Sequence, residues 1–166
     1  MAATRIDRGS TETTAIYQEG TDLVFERTFD APREKVWKAF TDAASIPRWW
    51  GPRGTTAKVI ELDVRTGGRW RFVSTAPDRE DVAFYGEFLE VRPPEGFTWT
   101  FMFDVEGVGP TGGPETYTLE DLGGRTKVVT RGHFGSAEAI EGALATGMVA
   151  GAIETWDRLA EEVAGA

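Results

Sequence analysis

Phe97-Thr98-Trp99-Thr100-Phe101-Met102-Phe103 sets an aromatic ring at every second position, with Thr or Met between. Successive side chains of a strand point to opposite faces, so the stretch predicts a strand with one wholly aromatic face. Upstream, Trp70 and Phe72 alternate with Arg69 and Arg71 in the same way. Between Thr56 and Phe134 such segments are broken by turn chemistry at Thr66-Gly67-Gly68, Ala76-Pro77-Asp78, Pro93-Pro94-Glu95-Gly96, Gly107 to Pro114 and Gly123-Gly124. Short turns between consecutive strands imply antiparallel neighbours.

Helical patterns flank this region. Leu23 to Phe29 is rich in strand formers, and Asp30-Ala31-Pro32 then opens a helix to about Phe40, with Val36, Ala39 and Phe40 on its apolar side. Ser45 is placed to cap a second short helix carrying Ile46, Trp49 and Trp50, which Gly51-Pro52 ends. From Ser136 the residues Ile140, Leu144, Met148, Ala152, Trp156, Leu159 and Val163 trace one apolar stripe, predicting a single long helix. Gly142, Gly147 and Gly151 fall inside it, each costing about 1 kcal/mol relative to Ala. Close approach of the sheet, or space left for a ligand, would offset that cost. The expected fold is α+β: a curved antiparallel sheet of about seven strands around a long C-terminal helix, with two short helices after the first strand.

The chain has 166 residues, which suits one domain spanning 22–166, preceded by a weakly structured extension over 1–21 with a strand near Ala15 to Gln18. A net charge of -9 and the lack of a Lys/Arg stripe argue against nucleic acid and against anionic lipid surfaces. No apolar run approaches the roughly 20 residues that span a bilayer, and Met1 to Asp22 has no apolar signal region, so a cytoplasmic location is expected. With Cys 0 the chain has no thiolate nucleophile or disulfide.

Motifs in order resemble a known superfamily. They are Phe29-Asp30-Ala31-Pro32 with Val36-Trp37, Arg48-Trp49-Trp50-Gly51-Pro52, Asp63 to Gly68, Gly86 to Val91 with Pro93-Pro94, and Gly147-Met148 with Gly151 and Arg158-Leu159. Together they resemble the SRPBCC proteins, the helix-grip fold shared by the birch pollen allergen and START lipid-transfer domains. The branch they are most similar to is named after the ATPase activator of the ninety-kilodalton heat-shock chaperone. The resemblance implies an internal apolar pocket between sheet and long helix.

Other chemistry finds little support. His133, the one histidine, shares strand parity with Lys127 and Arg131 and is expected on the outer face, away from the pocket. Glu87 and Glu90 are read as lying on opposite faces of one strand, and no ligand spacing suggests a metal or another cofactor. Asp63 and Arg65 beside Gly67-Gly68 read as turn geometry rather than an anion site. No nucleophile elbow is present, so no catalytic residue is assigned. The candidate ligand-lining set is therefore Trp50, Trp70, Phe72, Phe84, Phe88, Trp99, Phe101, Tyr117, Leu119, Met148, Gly151, Ala152 and Thr155. Tyr117 and Trp99 would supply a hydroxyl and an indole donor to orient a ligand. The expected function is noncatalytic binding of a small hydrophobic or aromatic molecule by a carrier, sensor or sequestering protein. A polyketide aromatase/cyclase-like enzyme and a chaperone ATPase cofactor are the alternatives, and a homodimer is compatible with the sequence.

Overall fold

The computed structural model describes residues 4–105 and 109–165. Among the described residues nine strands form one antiparallel sheet: β1 Arg5–Asp7, β2 Ala15–Glu19, β3 Asp22–Phe29, β4 Thr56–Leu62, β5 Arg69–Ala76, β6 Arg79–Arg92, β7 Gly96–Val105, β8 Gly109–Asp121 and β9 Thr126–His133. Their spatial order is β1-β2-β3-β9-β8-β7-β6-β5-β4, so the first strands close onto the last one through the β3–β9 pair. Helix α1 (Arg33–Thr41) follows β3, and α2 (Ala137–Leu144) and α3 (Met148–Ala164) end the chain. This is a helix-grip architecture, the sheet curving around the C-terminal helix.

The additional strands come from residues read in the sequence as an extension. β1 pairs with β2 and β2 with β3, and Ile16 is fully buried there. The region read as a turn from Gly107 to Pro114 is strand from Gly109 onwards, while Gly107 lies outside the described residues. Glycine and proline there hide the strand because neither has a side chain that favours a pleated surface.

Two further expectations are corrected. The second short helix is present as a 3-10 helix over Ile46–Arg48 that stops before Trp49 and Trp50, and Ser45 stands at its N-cap position but its hydroxyl bonds Asp42 Oδ2 at 2.8 Å instead of capping it. The C-terminal segment is broken: α2 ends at Leu144 and α3 starts after Gly147, whose φ is 81°. That left-handed backbone suits glycine, so Gly147 is a hinge between helices and not a helix-interior residue. Ser136 does cap α2, accepting from the Ala139 N–H at 3.1 Å.

The core lies between sheet and helices. On α3, Trp156 packs edge-on against Phe25 and Phe29 with ring centroids 6.2 and 5.7 Å apart. On α1, Phe40 meets Trp49 at 5.1 Å and Tyr117 at 5.3 Å. Register shifts occur between Val59 and Glu61 and between Phe88 and Glu90. The extra residues, Ile60 and Leu89, are turned out to solvent, 52% and 43% exposed, which keeps the apolar residues on either side facing inward.

Candidate functional site

Strand parity delivers the expected floor. Trp70 and Phe72 of β5, Phe88 of β6, Trp99 of β7 and Tyr117 and Leu119 of β8 are buried on the concave face, while Arg69 and Arg71 are exposed. Register sets Phe72 opposite Phe84 and Phe88 opposite Trp99. The Trp70 and Trp99 indoles stack at 4.0 Å with planes 17° apart. A Cβ at Gly86 would stand 1.9 Å from the Thr100 carbonyl oxygen, the atom that accepts the Trp70 indole N–H at 3.1 Å, so this position has no room for a side chain.

Trp50 reaches the same floor from the turn after the 3-10 segment. Its ring lies 4.9 Å from Phe72, 6.2 Å from Trp70 and 6.3 Å from Trp99. Arg158 of α3 holds that turn. Its guanidinium donates to the carbonyls of Gly51 at 2.9 Å, Trp50 at 3.3 Å and Arg48 at 3.3 Å, oxygens that the short turn leaves without partners. The centre of the grip is thus filled by aromatic rings.

Exposure changes along the grip. On β7, Phe97 and Trp99 are 0% and 2% exposed, whereas Phe101 and Phe103 are half-buried. On α3 the sequence repeats the trend from the other end: Val163, Leu159 and Trp156 are buried, and Ala152, Val149 and Met148 are half-buried. The grip is closed where α3 ends and open where it begins. Of the remaining expected residues, Phe84 belongs to the open end and meets Phe101 at 5.5 Å. Thr155 bonds its own helix through the Gly151 carbonyl at 2.8 Å. Gly151 faces sideways, a Cβ there lying 3.5 Å from Pro52 Cγ.

One residue of the floor was absent from the sequence reading. Glu115 lies directly opposite Trp99 on β7 and Gly132 on β9, hence on the aromatic face at the boundary between the closed and open halves. The Trp99 indole donates to its Oε1 at 2.9 Å. Burial pushes the Glu115 carboxyl above the ordinary glutamate range, only partly offset by hydrogen bonds from Trp99 and Tyr117. Tyr117 is pushed well up, first by burial and then by Glu115. The Trp99 indole, expected to offer a donor to a ligand, is instead taken by this carboxyl, and Tyr117 stands beside it on the same face. Parity alone carried the signal, since Glu115, Tyr117 and Leu119 sit at alternate positions.

The other candidates stay outside. His133 is exposed, its Nδ1 3.0 Å from Asp22 Oδ1. Arg65 Nε bonds Asp63 Oδ2 at 2.8 Å beside the Gly67-Gly68 turn. Glu87 and Glu90 share the outer face, contrary to the sequence reading, because the Leu89 bulge reverses parity between them. Two open grooves lie elsewhere: about 540 Å³ beside Glu26 and Lys127, and about 390 Å³ over Arg69, Arg71 and Tyr85. Among the described residues no group of three or more His, Asp or Glu is arranged to hold a metal ion, and no helix is long and apolar enough to cross a membrane.

Known structures share this architecture. Protein Ms6760 from Mycobacterium smegmatis superposes with a TM-score of 0.76 at 26% identity, covering 97% of this chain and 96% of its own. A protein from Arthrobacter aurescens gives 0.82 at 22% identity, with 90% and 91% covered. The AHSA1 protein from Silicibacter pomeroyi gives 0.69 at 22% identity, with 86% and 97% covered. The last two likenesses speak for the fold alone. No curated protein matches the sequence. The family described as Activator of Hsp90 ATPase homolog 1-like protein matches residues 30–164, which is most of the chain and includes the Trp50 turn, the aromatic floor and α3. The chain therefore belongs to the Activator of Hsp90 ATPase homolog 1-like family, within the SRPBCC helix-grip proteins.

Proposed function

We propose that the protein binds a small hydrophobic or aromatic molecule without turning it over, at the open end of the grip. The observation that carries this reading is the matched gradient of exposure on β7 and α3. Phe101, Phe103, Met148 and Ala152 belong to the inner faces yet keep partial contact with water. Burying such surface under a ligand contributes about 25 cal/mol per Å² before the costs of association. Aromatic walls with few polar groups are the usual lining of a small-molecule site. The packed rings around Trp50 close the deeper half, so a ligand that reaches it displaces or repacks that ring.

Native mass spectrometry of the purified chain would identify a copurifying molecule, and thermal shift would measure its binding. Ala152→Trp should fill the open end and weaken binding at least about tenfold, which is 1.4 kcal/mol. Undiminished affinity in that variant would place the ligand elsewhere. The Glu115 carboxyl favours a second reading, a polyketide cyclase-like enzyme in which this group moves protons on a folded chain. Product formation that disappears in Glu115→Gln would support it; binding without turnover supports the first.

A further inference from the structure

We propose that Glu115, with Trp99 and Tyr117, is the polar anchor at the open end of the grip and selects neutral aromatic ligands that present a hydrogen-bond acceptor, such as a ketone, ester or quinone oxygen. The inference rests on the ligand-binding reading above and adds the chemical class to it. Glu115 is the one carboxyl set on the aromatic floor formed by β5–β8 among the described residues.

The neighbours decide its chemistry. An indole can only donate, so the oxygen facing Trp99 must accept, and this leaves the second oxygen as the position for a proton. Gly113 and Gly132, the inner-face neighbours along and across the sheet, place no side chain over that oxygen, and Phe134 forms the wall beside Gly132. No cation pairs with Glu115 among the described residues. The charged side chains of α3 are engaged elsewhere: Asp157 with Arg27, Glu161 with Arg53 and Glu162 with Arg48. Tyr117 is the titratable group that faces it. A ligand covering the open end removes the remaining water from the carboxyl and so favours its neutral, donating form further. An anionic ligand would meet a carboxyl and no cation. A cationic amine would require two ions to be stripped of water together, a cost that their attraction often fails to offset.

Titration calorimetry on one scaffold separates these cases, using 2-acetylnaphthalene, 2-ethylnaphthalene, 2-naphthoate and 2-(aminomethyl)naphthalene. The wild-type chain should bind the acetyl compound about fivefold or more tighter than the ethyl compound, with the anion and the amine weakest. Glu115→Gln, which keeps a donor, should retain that preference, and Glu115→Leu should lose it, binding the acetyl and ethyl compounds within about twofold of each other. Acetyl affinity should fall as pH rises through the raised ionisation of Glu115 in the wild type and stay flat in Glu115→Gln. A preference that survives in Glu115→Leu, or tightest binding of the amine, would overturn the anchor but leave apolar binding standing. Failure of all four compounds to bind would overturn both.

Discussion

Glu115 ionises in surroundings that favour its neutral form, which links the stability of the chain to pH through one side chain. Its folded ionisation lies above the unfolded one, near 4.3 for glutamate. The stabilisation it supplies is therefore complete below that value and lost as pH rises through the folded value. Chemical denaturation of Glu115→Leu against wild type should show the variant gaining relative stability from about pH 4 to pH 8, and a pH-independent difference would refute the buried-acid account. Arg158 acts on a different property. Arg158→Met should cost about 1.5 to 3 kcal/mol, since the carbonyls of Arg48, Trp50 and Gly51 lose a charged donor. The expected companion is a red shift of tryptophan emission as Trp50 loosens; unchanged stability and emission would show that the turn holds itself.

Between α2 and α3 the chain tests two glycines that look alike in sequence. Gly142 is exposed, and a Cβ there would meet nothing within 4 Å, so Gly142→Ala should raise stability by about 0.5 to 1 kcal/mol. Gly147→Ala should lower it by about 1 to 2 kcal/mol, because φ of 81° is strained for any residue with a Cβ. Melting curves of the two variants moving in the same direction would contradict the break. The apolar period runs through Leu144 and Met148 without interruption, so only backbone geometry reveals it. Strand faces were far more legible. The alternation at Phe97 to Phe103 is local, and of the rings it pointed inward Phe97 and Trp99 are buried and Phe101 packs against the core. The bulges at Ile60 and Leu89 were not legible, because one additional residue changes parity without changing composition. Glu115 was missed for a related reason: Gly112-Gly113-Pro114 looks like a turn, which concealed that the strand carrying Glu115 had already begun.

Across the whole molecule the first residues complete the sheet. β2 covers the edge of β3 with Ile16 fully buried, and Tyr17 hydrogen-bonds Glu26, which also pairs with Lys127 of β9 at 2.9 Å. Burial and the Glu26 bond push Tyr17 up to about 12. Burial opposes ionisation of Glu26, yet the bonds from Tyr17 and Lys127 prevail and hold it below the usual carboxylate range. Deleting residues 1–19 should cost about 3 kcal/mol or more and leave β3 as an open edge prone to self-association. Light scattering and melting of the shortened chain check this, and a monomer of unchanged stability would make these strands dispensable. Elsewhere in the sheet, β5 and β7 on either side of β6 hold the two stacked indoles, Trp70 and Trp99, in one fixed and slightly twisted arrangement. Such a pair shares its electronic excitation, so the folded chain should give an exciton couplet in circular dichroism that disappears in Trp70→Phe. Any molecule that enters deeply enough to part the rings would write its arrival into that optical signal, which makes the protein its own reporter.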